Sequence, residues 1–173
     1  MTILSETVKA YIGLQTEWEI ACDPVEAGAV RRYAQSIMDD DPIYAHAATP
    51  DIYGGAVAPL FFPTHMFRRG FGAADPLDQS VGNPDYDGSS VSSTQGLPEI
   101  EPLKKLSILN GGADVEFYRY ARHGEVVKLR SRYADITEKQ TSKGAMVIVI
   151  IESDYLNGDD ELLCRIRRTY IRR

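Results

Sequence analysis

Residues 125–171, EVVKLRSRYADITEKQTSKGAMVIVIIESDYLNGDDELLCRIRRTYI, carry the clearest structural pattern in this chain. Glu125–Ile136 and Leu162–Ile171 alternate apolar with charged residues, and Ala145–Tyr155 between them is rich in β-branched residues. Alternation with a period of two residues predicts strands, and β-branched runs favour them. Asn157-Gly158-Asp159-Asp160 is a strong turn signal, so the last two strands should form a hairpin.

Upstream of these strands the sequence predicts a short helix over Ser5–Ile12, a first strand over Thr16–Cys22, one further strand and two important helices. Ala113–Tyr120 completes a set of about four antiparallel strands. A first helix should follow Asp23 as its N-cap and end before Pro42. A second should run from near Ala58 to near Gly70 and is apolar on most sides, as buried helices are. These elements predict an α+β fold in which an antiparallel sheet wraps around one long buried helix.

Bulk properties narrow the class of protein. The chain has 173 residues, a net charge of −6 and a pI of about 5.1, which argues against general nucleic-acid binding. Cys22 and Cys164 match no metal or redox spacing. The N-terminus does not look like a signal peptide, and the longest apolar stretch, Met146–Ile151, is too short to span a bilayer. We therefore expect one cytoplasmic domain over residues 1–173, with no nucleic-acid or membrane partner.

Two segments resemble a known family. AQSIMDDDPIYAHAATPDIYGGAVAPLFF, which begins at Ala34, resembles the hydratase signature of MaoC-like proteins, and the segment from Leu109 to the C-terminus resembles their later strands. The latter includes a turn over Tyr120–Glu125. The likeness is greatest to the FAS1-like dehydratase branch, which includes the N-terminal halves of two-domain dehydratases and partner subunits of heteromeric ones. The resemblance implies a hot-dog fold and chemistry on an acyl thioester.

The resemblance also implies a catalytic site. Active members of the family orient a water between an Asp and a His five residues later; these positions are Asp39 and Tyr44 here, with Asp41 in the usual Asn position and Met38 in the usual Gly position. A phenol titrates near 10 and an imidazole near 6.5, so the change from His to Tyr matters chemically. Asp39 is either the general base or a solvated carboxylate in the turn that ends the helix. Tyr44 either takes part in the chemistry or packs its ring against the loop.

Other candidates follow from the same alignment. His46 either replaces the missing base or lies on the surface, whereas His123 is expected in a solvated turn. The family's oxyanion donors fall at Val57-Ala58-Pro59, and because proline lacks an N–H, the N–H of Ala58 or Leu60 would have to substitute. Phe61 would line the acyl site. Arg68 and Arg69 would meet a coenzyme A phosphate or simply end the helix.

The segment from Gly70 to Pro98 is rich in Gly, Pro, Ser and Asp and is expected to be an inserted loop. Its spaced apolar residues suggest either a lid over a bulky acyl group or an ordinary surface loop: Leu77, Val81, Tyr86, Val91 and Leu97. The arginine-rich tail from Arg165 to Arg173 is expected on the solvent face of an edge strand or, alternatively, at nucleotide phosphates.

Three functions are compatible with the sequence. In the first, the chain is an enoyl-thioester hydratase or 3-hydroxyacyl dehydratase that needs no cofactor. In the second, it is a catalytically weak subunit that shapes the acyl pocket for a homologous partner carrying the Asp/His pair. In the third, it is a thioesterase or a binding module on the same fold. Nothing in the sequence favours the third. The expected ligand is a thioester of coenzyme A or acyl carrier protein, and the expected assembly is a homodimer or a heteromer with a second hot-dog subunit.

Overall fold

A five-stranded antiparallel sheet forms the body of the computed structural model, which describes residues 3–45, 53–68, 70–73, 82–84, 95–142 and 144–173. Its strands are β1 (Glu19–Ile20), β2 (Ile108–Phe117), β3 (Val127–Thr141), β4 (Gly144–Asn157) and β5 (Leu162–Arg172). Their order across the sheet is β1-β3-β4-β5-β2. The antiparallel sheet expected from the alternating pattern is therefore confirmed.

β2 begins five residues earlier than the sequence pattern predicted. Gly111 and Gly112 lie within it at a register shift against β5. A Cβ atom on Gly111 would lie 2.8 Å from Cγ2 of Thr169, so only glycine permits the two strands to approach this closely. Glycines normally count against a strand, and this packing requirement overrides that preference.

Two short helices flank the sheet. α1 (Glu6–Lys9) has Ser5 as its N-cap, within the expected Ser5–Ile12 segment. α2 (Ala27–Ser36) begins after Glu26, so the predicted start at Asp23 was wrong. The reason is tertiary pairing: the N–H of Val25 donates to the carbonyl of Glu125 at 2.9 Å, which keeps this part of the chain extended.

The long buried helix predicted from Ala58 to Gly70 was wrong as well. Only a 3-10 turn over Phe62–His65 forms there. Proline supplies the physical cause, because Pro63 has no N–H and its ring would clash with the carbonyl four residues earlier, that of Pro59. In the described part of the chain α2, with ten residues, is the longest helix.

Two apolar clusters pack against the sheet at different places. One joins α1 and residues 97–103 to β3 and β4 through Val8, Leu97, Leu103, Tyr133 and Ile151. The other joins α2 and the 58–66 segment to the start of β3 through Val30, Ala58, Phe62, Met66 and Val127. Leu97 is 4% exposed, so it belongs to the core and not to a lid.

The structure bears on the expected edge strand and on the membrane expectation, but not on most of the proposed lid. β5 lies between β4 and β2, so the arginine-rich tail is not on an edge strand. The other proposed lid residues, Leu77, Val81, Tyr86 and Val91, lie outside the described residues. Across the described ranges, no helix has the length and apolar character needed to cross a membrane.

Candidate active site

A cavity of about 660 Å³ lies between one side of α2, the loop that follows it, and the turn before β3. Its walls include Ala27, Arg31 and Ala34 from α2, Asp39, Asp41 and Tyr44 from the loop, and His123 from the turn. The volume falls in the range of sites that bind small molecules. The structure thus brings three of the predicted site residues, Asp39, Asp41 and Tyr44, to one cavity.

Asp39 and Tyr44 form a hydrogen-bonded pair on the cavity wall. The hydroxyl of Tyr44 donates to Oδ2 of Asp39 at 2.9 Å, and the N–H of Asp41 donates to Oδ1 of Asp39 at 3.2 Å. Oδ1 of Asp41 in turn accepts from the N–H of Ile43 at 3.0 Å and caps a 3-10 turn over Pro42–Tyr44. The loop geometry therefore fixes the Asp39 carboxylate with a donor on each oxygen.

The same loop keeps Tyr44 a neutral phenol. Burial raises the pKa of Tyr44 well above its usual value, and the hydrogen bond to Asp39 and the negative charge of that carboxylate raise it further. Tyr120, from the turn opposite, also has a raised pKa, first through burial and then through Tyr53 and the charges of Asp41 and Asp39. At neutral pH the pair is a phenol that donates to a carboxylate.

Met38, immediately before Asp39, adopts a left-handed backbone conformation with φ of 57°. This conformation is costly for a residue with a Cβ atom and suits glycine. It explains why the resemblance places glycine here. Met38 is 92% exposed and lines the cavity.

The segment Ala56–Ala58 is pinned by backbone hydrogen bonds. The N–H of Ala58 donates to the carbonyl of Ala121 at 2.8 Å, and the N–H of His123 donates to the carbonyl of Ala56 at 3.0 Å. Ala58 is fully buried. Its N–H is therefore engaged, and the proposed use of that group as an oxyanion donor was wrong for this conformation.

The remaining predicted site residues lie elsewhere. Leu60 and Phe61 do not line the Asp39 cavity; the ring of Phe61 packs edge-on against Phe117, with 5.7 Å between centroids. Arg68 lines a second cavity of about 350 Å³ on the other side of α2, together with Arg32 and His65. His46 and Arg69 are outside the described residues.

Sequence reasoning did not place His123 at the site. His123, expected in a solvated turn, is half-buried and lines the cavity with Asp39 and Tyr44. Its placement depends on the backbone bond from His123 to Ala56 and on the bond from Val57 N–H to the Ile43 carbonyl, at 3.2 Å. No spacing rule links His123 to Ala56, so far away in the sequence, although the turn over Tyr120–Glu125 is part of the family resemblance.

No cluster of three or more metal-ligating side chains occurs in the part of the chain that the structure describes.

An antiparallel sheet with a cavity at its side is the architecture expected of a hot-dog protein, and comparison with known proteins identifies the family. A family model described as "FAS1-like, dehydratase domain region" matches residues 10–166. This chain belongs to that family. No curated protein sequence matches it.

Several solved structures share the fold of this chain. The ChsH1-ChsH2 complex from Mycobacterium tuberculosis contains a chain with 21% identity and a TM-score of 0.70, over 96% of this chain and 88% of that one. A MaoC-like dehydratase from Rhodospirillum rubrum has 18% identity and a TM-score of 0.56, over 94% and 93%. The HadBC (3R-hydroxyacyl-ACP dehydratase) complex from M. tuberculosis has 19% identity and a TM-score of 0.55, over 93% and 96%. At these identities the likeness establishes the hot-dog fold.

Proposed function

We propose that this chain takes part in the reversible hydration of a 2-enoyl thioester, carried by coenzyme A or acyl carrier protein, with the Asp39 cavity as the reaction site. The observation that best supports this proposal is the hydrogen-bonded Asp39–Tyr44 pair on the wall of a cavity of about 660 Å³. The family assignment supports the class of reaction.

In this proposal the carboxylate of Asp39 is the general base. Water adds its oxygen to the β-carbon as Asp39 accepts a proton from it, the π electrons of the C=C bond move toward the thioester, and Asp39 returns the proton to the α-carbon. Dehydration is the reverse. Tyr44 stays protonated throughout and orients the water through its hydroxyl, because its pKa is raised.

A second candidate function rests on a specific observation. Both oxygens of Asp39 already accept hydrogen bonds, from Tyr44 and from the N–H of Asp41, so fewer of their lone pairs are left to accept from a reacting water. The chain would then shape the acyl pocket while a homologous partner supplies an Asp/His pair. The ChsH1-ChsH2 and HadBC structures are complexes, which is consistent with such an assembly.

One experiment separates the two candidates. The purified chain is incubated alone with crotonyl-CoA and with a bulkier enoyl-CoA, and both hydration and binding are measured. Hydration without a partner supports the first candidate. Binding without hydration, with activity restored by a homologous hot-dog subunit, supports the second. A chain that neither binds nor hydrates these thioesters contradicts both.

A further inference from the structure

Three arginines in a short stretch of β5 point to opposite faces of the sheet and differ in their partners. Because side chains alternate along a strand, Arg165 and Arg167 share one face and Arg168 lies on the other. Arg165 pairs with Asp154 at 2.6 Å. Arg167 pairs with Glu152 at 2.7 Å and with Glu116 at 3.1 Å. The charges on that face are therefore neutralised locally.

Arg168 lies on the core face of the sheet, beside buried neutral groups. It is half-buried, and its Nη1 donates to Oγ of Ser153 at 3.3 Å. Ser153 is fully buried and shares a hydrogen bond of 2.8 Å with Ser131. Within the ranges that the structure describes, no Asp or Glu oxygen lies within salt-bridge distance of Arg168.

The ionisable neighbours of Arg168 do not supply a negative charge near neutral pH. Burial raises the pKa of Cys164 to about 12, and the charge of Arg168 only partly opposes this shift. Burial likewise raises the pKa of Tyr155, again against the effect of Arg168. The thiol and the phenol thus stay neutral beside the guanidinium.

A cation that is partly withdrawn from water and bonded to neutral groups is poorly compensated, and an anion that binds there gains a charge-assisted hydrogen bond. We propose that Arg168, held in place by its hydrogen bond to Ser153, forms a subsite on the core face of the sheet for an anionic oxygen group of the ligand. If the ligand is an acyl thioester, the inference also rests on the proposed function and deepens it.

The anionic oxygen group that binds Arg168 could come from two parts of an acyl thioester. One is a carboxylate at the far end of the acyl group, and the other is a phosphate of the coenzyme A carrier. Both suit the planar guanidinium, which can present two parallel N–H donors to an anion. The probes must therefore differ in the acyl group while they share the carrier.

The test observes Arg168 directly. The Nε–Hε resonance of Arg168 in the 15N-labelled full chain, assigned by its loss in Arg168→Met, is followed during titration with succinyl-CoA, butyryl-CoA and inorganic phosphate. A shift with succinyl-CoA alone identifies the acyl carboxylate. A shift with both thioesters and with phosphate identifies the carrier. If none of the three moves this resonance, the proposal is overturned, even where enoyl-CoA hydration proceeds.

Affinity measurements supply the controls. Arg168→Met, which keeps most of the apolar stem, should weaken binding of the responsive ligand about tenfold or more, as expected for loss of a charged hydrogen bond. Arg168→Lys keeps the charge and should lose less. Arg130→Met is the matched control, because Arg130 stacks on Trp18, 4.4 Å from its ring centroid, and should leave affinity unchanged. Equal affinities in wild type and Arg168→Met would contradict the proposal. If phosphate still moves the Arg168 resonance while the chain neither binds nor hydrates enoyl-CoA, the proposed function alone fails.

Discussion

Tyr44 donates its hydroxyl hydrogen to Asp39, five residues earlier, at 2.9 Å. The 3-10 turn that Asp41 caps brings the two side chains together, so the pair depends on local loop geometry more than on distant packing. The donor to Asp39 is consequently a phenol that keeps its proton at neutral pH. The phenol therefore orients the carboxylate without exchanging a proton near pH 7.

The first prediction concerns the base. If the chain hydrates enoyl-CoA alone, Asp39→Asn should lower kcat on the order of a hundredfold or more, because the amide cannot accept the proton of water. Asp159→Asn is the matched control, since Asp159 is exposed in the turn between β4 and β5 and does not line the cavity. Steady-state hydration of crotonyl-CoA measures both variants. Comparable losses in the two would remove Asp39 from the mechanism.

The second prediction concerns the phenol. Tyr44→Phe removes the hydroxyl and keeps the ring, so it should lower kcat by about fivefold or less, the worth of the neutral hydrogen bond between that hydroxyl and the reacting water. The pH profile of kcat should keep its shape, since Tyr44 does not ionise in the working range. A loss near that of Asp39→Asn would instead assign proton transfer to Tyr44.

The sheet could be predicted from the sequence because the alternating and β-branched patterns that indicate strands lie within each strand. Ala145–Tyr155 and Leu162–Ile171 were expected as strands, and β4 and β5 match them to within two residues. The helix predicted from Ala58 to Gly70 does not form. The segment is apolar, as a buried helix would be, but Pro59 and Pro63 interrupt a helix.

The site was partly predictable for the same reason. Asp39, Asp41 and Tyr44 are close in sequence and share one cavity wall. His123 reaches that wall only through backbone pairing with Ala56, and Ala58 is withdrawn from it through pairing with Ala121. Such long-range pairing has no signature in the spacing of residues.

The third prediction follows from backbone strain at Met38. Met38→Gly should raise the free energy of unfolding by about 1 kcal/mol, because a φ of 57° costs a residue with a Cβ atom roughly that much. Met38→Ala keeps the Cβ atom and is the control, with little expected gain. Urea denaturation measures both. Equal changes in the two variants would mean that the side chain and not the backbone decides stability here.

The fourth prediction concerns assembly. β2 lies at the edge of the sheet, and eight of its ten residues are exposed. Open edges of this length are usually covered in proteins, so we expect a dimer or a dimer of dimers in which β2 or β1 edges join two sheets. Light scattering at micromolar concentration should give at least roughly twice the chain mass of 19.2 kDa. A monodisperse monomer would count strongly against this assembly.

The last prediction is a loss of stability at high pH through Tyr133. This ring is 2% exposed, and its hydroxyl donates to the carbonyl of Pro98 at 2.9 Å. Burial raises the pKa of Tyr133 to about 12, although the charge of Arg172 opposes the shift. Because the folded pKa exceeds the unfolded value near 10, the stabilisation is complete below pH 10 and is lost as pH rises toward 12.

The free energy of unfolding should therefore fall by up to about 3 kcal/mol between pH 9.5 and pH 12 on account of this residue. Tyr133→Phe loses the bond to Pro98 at every pH but has no proton to lose, so its stability should fall less steeply over that range. Urea denaturation of both proteins at several pH values gives the two slopes. Parallel slopes would show that groups other than the Tyr133 hydroxyl cause the alkaline transition.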